Sequence, residues 1–210
     1  MIAALYDIHG NLAALEAVLA EVPEEAEIVV GGDVVAGGAE ASETLERLRG
    51  LGDRVHWLRG NGDRELYPGE EGLAPPESLA DTRAQLSDEQ IEFLYRLHPT
   101  VRIGDVLYVH ASPRNDLDIF TEATPEERIA FLFEDVDAGV VVCGHTHMQF
   151  DRVVAGTRVV NAGSVGMSYD ERPGAYWLLD LEPRFTPYAG VPEPEHTRDE
   201  VLAFFTERGL

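Results

Sequence analysis

Five short apolar runs in this chain each stop at a side chain of metal-ligand type, and that recurrence restricts the fold more than any other feature. Ile2 to Tyr6 runs into Asp7-Ile8-His9-Gly10-Asn11, and Glu27 to Val30 runs into Gly31-Gly32-Asp33. Val55 to Leu58 leads to Arg59-Gly60-Asn61-Gly62-Asp63-Arg64, Val106 to Val109 to His110, and Gly139 to Cys143 to Gly144-His145-Thr146-His147. Runs of this length bounded by glycine read as buried strands. Between them lie helical patterns: Leu12, Leu15, Val18, Leu19 and Val22 after the first, then Ser42 to Arg49 with Leu45 and Leu48 on one face and Gly50 as its stop. Strand-then-helix units in series predict a parallel sheet, whose carboxyl edge collects the polar groups on one rim, where α/β sheets place their ligands.

Taken singly these residues say little, because Asn-Gly is a turn signal and a lone histidine is more often structural than ligating. Together Asp7, His9, Asp33, Asn61, His110, His145 and His147 are hard to assign to chance, since strands disfavour Asp and Asn. Asp7 with His9, and His145 with His147, are two residues apart, a spacing that puts both side chains on the same side of a strand. Oxygen and imidazole ligands without thiolate argue against an iron–sulfur centre or a structural zinc finger and for Mn, Fe, Co, Ni or catalytic Zn. The set suits two divalent ions roughly 3.5 to 4 Å apart that share a carboxylate.

The rest of the chain is less directive. Tyr67-Pro68-Gly69 and Ala74-Pro75-Pro76 read as loop, and Ser87 with Gln90 caps a helix through Leu97. Residues 65 to 100 are expected to cover the rim, or to serve as an interface in a homo-oligomer. Gly104-Asp105 and Ala155-Gly156 mark hairpins, Thr124-Pro125-Glu126-Glu127 opens a helix carrying Ile129, Phe131, Leu132 and Phe133, and Ala175 to Leu181 is a strand. Pro192 to Glu195 is a loop, after which Thr197 and Glu200 cap a last helix ending near Arg208. No repeat or linker interrupts the chain, so a single domain over 1–210 is expected.

Sixteen basic and thirty-nine acidic residues give a net charge of −23, and every basic residue is arginine. Such a surface repels polyanions, which argues against general nucleic-acid binding or attachment to anionic membranes. Cys143, the lone cysteine, ends an apolar run and reads as a small buried hydrophobe. With no signal peptide and no run long enough to span a bilayer, a cytoplasmic protein is expected.

The segments Asp7-Ile8-His9-Gly10, Gly32-Asp33, Gly60-Asn61-Gly62-Asp63, His110 and Gly144-His145-Thr146-His147, in that order, resemble the five motifs of the calcineurin-like metallophosphoesterases. Tyr108 to Arg114 and Asn161-Ala162-Gly163-Ser164-Val165 are similar to its small bacterial and archaeal phosphodiesterase branch. The resemblance implies an α/β (α+β) fold, a four-layer α-β-β-α sandwich with a dinuclear metal site at one edge of the sheets. It implies that Asp7, His9 and His147 bind one ion, that Asn61, His110 and His145 bind the other, and that Asp33 bridges them. Manganese is the first expectation, with Fe, Zn, Ni or Co as alternatives, and a water acidified by the ions would attack a small phosphorylated substrate in line with the leaving oxygen.

Among the candidate catalytic residues Asp33, Asn61, Asp63 and Arg114, the last would set positive charge beside the phosphate, as Arg64 could too. Where many members carry a histidine between the asparagine and the acid of the third motif, this chain has Gly62. Loss of a general acid typically costs about 10²-fold or more for a poor leaving group. A phosphodiesterase acting on a small phosphodiester or nucleotide is therefore favoured, with Gly62→His expected to raise monoester activity if space allows. The alternatives are a dinucleoside polyphosphate hydrolase with an adenine shelf from Tyr67, Phe120 or Phe150, a protein phosphatase-like enzyme, and a catalytically weak metal-binding scaffold.

Overall fold

A computed structural model describes residues 1–70, 72–191 and 196–210, so the expected Pro192 to Glu195 loop lies outside the described residues. Ten strands follow in chain order: β1 (Ile2–Leu5), β2 (Glu27–Val30), β3 (Val55–Trp57), β4 (Thr100–Ile103), β5 (Val106–Val109), β6 (Val140–Cys143), β7 (Gln149–Val154), β8 (Thr157–Ala162), β9 (Ala175–Leu179) and β10 (Glu182–Thr186). The helices are α1 (Leu12–Glu21), α2 (Ala41–Arg49), α3 (Asn61–Glu65), α4 (Pro76–Arg83), α5 (Asp88–Tyr95), α6 (Glu126–Ile129) and α7 (Arg198–Arg208). One sheet has the order β10-β9-β1-β2-β3 and the other β4-β5-β6-β8-β7. Strands β1, β2 and β3 run parallel, as do β5, β6 and β8, so all six deliver their carboxyl ends to one edge.

Alternation along the strands builds the layers. Ala3 and Leu5 of β1 face outward onto Leu15 and Val18 of α1 and Leu45 of α2. Ala4 and Tyr6 face inward onto Tyr108, Val142 and Val160 of the second sheet, and the Tyr6 hydroxyl donates to the Val142 carbonyl at 3.2 Å. Val109 and Val141 turn the other way, onto Phe120, Phe133 and Ile129. Strands buried on both faces must be apolar throughout, which is why they stand out as continuous runs.

Both expected hairpins form, and the capping boxes at Ser87–Gln90 and Thr197–Glu200 are present. Three elements differ from expectation. Strand β10 has an exposed, proline-containing sequence that only an edge strand tolerates, so it carries no apolar signal. The Pro75-Pro76 pair opens α4 instead of marking a loop, with Pro76 at the first helical position. Thr124 caps nothing: its hydroxyl accepts from the Thr121 amide at 2.9 Å, and α6 is a single turn continued by a 3-10 turn, Ala130–Leu132. Cys143 is buried as expected.

Candidate metal centre

The residues that end the strands leave the strand conformation altogether. Asp7 (φ 51), His9 (φ 50), Asp33 (φ 50), His145 (φ 67) and His147 (φ 58) lie in the left-handed region, and among the described residues the only other non-glycine cases are Ala155, Asp180 and Leu181, at hairpin turns. Such backbone costs roughly 1–2 kcal/mol per residue and persists only where surroundings enforce it. Here bonds between loops enforce it: Asp7 N to Gly32 O at 3.1 Å, His9 N to Asp33 O at 2.9 Å, Gly144 N to His110 O at 2.8 Å and Ser164 Oγ to Asp7 O at 2.7 Å. The expectation that strand alternation aims Asp7 and His9 is thus corrected. Left-handed kinks past the strand ends aim them.

All seven candidate ligand residues meet at this edge. His9 Nε2 lies 3.1 Å from His147 Nε2 and 4.0 Å from Asp33 Oδ2. His147 Nε2 is 3.4 Å from Asp7 Oδ1, while His110 Nε2 is 3.5 Å from Asp33 Oδ1, 4.0 Å from Asp7 Oδ1 and 3.1 Å from Asn61 Oδ1. His145 packs edge-on against His110 with ring centroids 5.1 Å apart, and its amide donates to Asp7 Oδ2 at 2.8 Å. Asp7, His9 and His147 form one group whose ligand atoms could surround an ion, and Asp7, Asp33 and His110 form another.

Ring orientation is fixed from behind. Nδ1 of His9, His110 and His147 faces the carbonyls of Ala36, Gly31 and Met167 respectively. A carbonyl only accepts, so Nδ1 carries a proton and Nε2 is the atom that each ring turns toward the cluster, free to ligate whenever the ring is neutral. Asp7 Oδ1 is buried with no hydrogen-bond partner. An orphaned carboxylate oxygen amid converging imidazole lone pairs is costly without a cation and suits one well.

Electrostatics agree. Burial pushes the Asp7 carboxyl up, but His147, His110 and His9 together outweigh it and hold the group well below the usual carboxylate range. Burial, then the neighbouring His110, brings His145 down to about 4, and burial with His147 lowers His9. Burial opposes protonation of His110 as well, yet Asp33, Asp7 and the bond to Gly31 raise it overall. An ionised Asp7 beside neutral His9 and His145 is the protonation state in which these three can ligate, while His110 is drawn the other way by the two acids next to it.

Behind the ligands stand supporting residues, of which Glu65 carried no sequence signal of its own. Glu65 is fully buried and accepts from Asn61 Nδ2 at 2.9 Å, which turns the Asn61 oxygen toward His110; it also holds the amides of Leu73 and Ala74. Asn161 donates to the Gly144 carbonyl at 2.7 Å and steadies the loop carrying His145 and His147. Asp63 does not reach the cluster: its carboxylate accepts from the amides of Asp33 (2.9 Å), Gly60 (3.0 Å) and Val34 (3.0 Å), and so positions Asp33 through the backbone. Gly60 is required by close approach, since a Cβ there would lie 2.2 Å from Asp33 Oδ1.

A cavity of about 330 Å³ opens onto the cluster, with His9, Asp33, Asn61, His145 and His147 in its wall. Residues 65 to 100 do form part of its rim, through Leu73, Ala74, Pro75 and Ser78. Neither expected arginine lines it. Arg114 pairs with Asp118, its guanidinium 5.1 Å from the Phe131 ring centre, and Arg64 pairs with Asp116 at 2.8 Å; both line a separate hollow of about 250 Å³. Phe120 and Phe150 are buried in the outer core and cannot shelve a base, while Tyr67 stacks on Tyr95.

Residues 1–184 match the model of the calcineurin-like phosphoesterase superfamily domain. A symmetrical bis(5'-nucleosyl)-tetraphosphatase of Pectobacterium carotovorum is 35% identical over 108 residues, a match that takes in 48% of this chain and 38% of that protein, so the chain spans well under half of that relative's length. The crystal structure of a metallophosphoesterase from Sphaerobacter thermophilus superposes with a TM-score of 0.72 at 25% identity over 91% of this chain and 89% of its own. That of a hypothetical protein from Pyrococcus horikoshii does so with 0.74 at 21% identity over 98% of each, which speaks to the fold alone.

Proposed function

Because the chain belongs to the calcineurin-like phosphoesterase superfamily, we propose that it is a metal-dependent phosphodiesterase acting on a small phosphodiester or nucleotide. The observation that carries this reading is the buried, partnerless Oδ1 of Asp7 facing imidazoles whose Nδ1 atoms are all committed to carbonyls. Asp7, His9 and His147 would hold one divalent ion and Asn61, His110 and His145 a second, with Asp33 between them: its Oδ2 lies toward His9 and its Oδ1 toward His110. Bound there, two ions supply an acidified water and positive charge opposite the phosphoryl oxygens.

The chain's own part is to hold that arrangement rigid. Asp63 and the Gly62 amide, which donates to Asp33 Oδ1 at 2.7 Å, fix the central carboxylate; Glu65 fixes the Asn61 amide. No side chain at position 62 can give a proton to the departing oxygen, so leaving groups stable as anions are favoured. Arg64 and Arg114 are engaged by carboxylates, which leaves the phosphate's charge to be met by the ions. Manganese is the metal we assign to an oxygen and imidazole set of this kind, and the cytoplasm the compartment, in keeping with a lone buried cysteine and with no described helix long and apolar enough to cross a membrane.

The relative from Pectobacterium supports a second substrate class, dinucleoside polyphosphates, over the half of the chain that it matches. The test of the main reading is hydrolysis of bis(p-nitrophenyl) phosphate with added Mn²⁺, expected in the wild type and absent after chelation or in His145→Ala. Metal-independent hydrolysis, or none at any metal concentration, contradicts it.

A further inference from the structure

Part of the wall of the site is aromatic, and while Tyr169 lies within the family match, Phe205 comes from a part of the chain outside it. Helix α7 begins at Arg198, beyond residue 184, where the superfamily model ends. It presents only Val201 to the interior and leaves Phe204 48% exposed. Phe205 turns toward Tyr169, ring centres 6.4 Å apart, and Tyr169 lies nearly parallel to the His147 ring at 5.2 Å with 19° between the planes. Phe205, Tyr169 and Met167 line the ligand cavity itself. Tyr169 and Phe205 also line an adjoining groove of about 380 Å³ that continues past Phe204 and His196. A path of aromatic surface thus starts at a candidate metal ligand and runs outward along α7.

The helix is tied at both ends over the site. Arg198 pairs with Glu122 at 2.9 Å and Asp170 at 3.5 Å; at the other end Leu210 N donates to Ile119 O at 2.9 Å and Arg128 donates to Gly209 O at 2.9 Å. Ile119 is itself in the cavity wall. The aromatic surface is therefore preorganised, and a ring that lands on it need not order it first. A small alkyl ester has no use for such a wall, whereas a planar heterocycle gains stacking and apolar burial there.

Resting on the phosphodiesterase reading above, we infer that Phe205, Tyr169 and Met167 form a subsite for the nucleobase of a nucleoside phosphate whose phosphoryl group sits at the seven-residue cluster. The position replaces the shelf expected from Phe120, Phe150 and Tyr67, which are occupied elsewhere. Stacking on one aromatic side chain is worth about tenfold in affinity by alanine substitution, toward the low end of the usual range.

Calorimetric titration of the Mn²⁺-loaded chain with AMP and with ethyl phosphate reads this subsite directly. AMP is expected to bind at least tenfold more tightly. In Phe205→Ala the gap should shrink to about threefold or less, in Phe205→Trp it should persist, and in Phe131→Ala, an exposed ring elsewhere, it should be unchanged. Equal affinities in the wild type, or a gap that survives Phe205→Ala, overturns the assignment. If the groove instead seats a second copy of this chain, light scattering will show a concentration-dependent dimer that Phe204→Ser dissolves while AMP does not compete, which also overturns it. Base-dependent binding without any hydrolysis of p-nitrophenyl esters would sink the phosphodiesterase reading and leave the subsite standing.

Discussion

Two hollows hold opposite kinds of chemistry, one walled by His9, Asp33, Asn61, His145 and His147 and the other by Arg59, Arg64, His110 and Arg114. The first opens onto a cluster in which two carboxylates, an amide oxygen and four imidazoles converge with no arginine among them, and in which Asp7 Oδ1 is buried without a hydrogen-bond partner. In the other, Arg64 and Arg114 are each engaged by a carboxylate, and Arg59 donates to the Tyr95 carbonyl while lying over its ring. The first gathers anionic and neutral ligand groups without a cation, whereas in the second two of the three arginines are paired with carboxylates and Arg59 Nε is buried without a hydrogen-bond partner. The proposed function needs positive charge opposite the phosphate, and the contrast favours metal ions at the first hollow over arginines at the second as its source.

The sharpest way to break this contrast is to remove the carboxylate between the two candidate ion positions. Asp33→Asn should lower kcat/KM for bis(p-nitrophenyl) phosphate by about 10³-fold, the scale of a lost electrostatic element in a preorganised site. Next in size, Mn²⁺ at 100-fold over its dissociation constant should stabilise the metal-free chain by about 2.7 kcal/mol, or roughly 5 to 10 °C in Tm. In Asp7→Asn that shift should be lost. Glu65→Gln, which unsettles the Asn61 amide at a residue that is not itself a candidate ligand, should cost about 10- to 100-fold in metal affinity, measured by competition with a chelating dye.

Smaller effects test the surroundings. Gly62→His, expected from sequence to restore monoester activity where space allowed, meets an obstacle: a Cβ there would sit 2.8 Å from Ala36 Cβ and 3.1 Å from Asp33 Oδ1. The single variant should lose about 1–3 kcal/mol in urea unfolding, and adding Ala36→Gly should recover part of it. Arg114→Ala should change activity less than about threefold and leave the urea-unfolding midpoint almost unmoved, as for a half-exposed ion pair. A large activity loss there would assign phosphate binding to the second hollow after all.

Much of this contrast is legible in sequence, though unevenly. The strands appear because burial on both faces makes them continuous apolar runs, and the site's first elements appear because Asp, Asn and His stand where those runs stop. What carries no signal is three-dimensional. The left-handed backbone at five of the seven positions arises from bonds between distant loops, as with Asp7 N to Gly32 O. Whether an acid faces the cluster or stands behind it, as Asp63 and Glu65 do, depends on helix α3 starting at Asn61. Arg114 lies four residues after His110 in sequence and is drawn off by Asp118, four residues further on. Helix α7 reads as an ordinary capped helix, and only its docking over Ile119 brings Phe205 beside Tyr169.

Stoichiometric titration of the metal-free chain with Mn²⁺, followed by electron paramagnetic resonance, tests most directly whether the first hollow is built for cations. Two ions per chain are expected, magnetically coupled in the wild type and uncoupled or reduced to one in Asp33→Asn. Binding of less than one ion per chain, or two ions untouched by that substitution, contradicts a centre organised around Asp33.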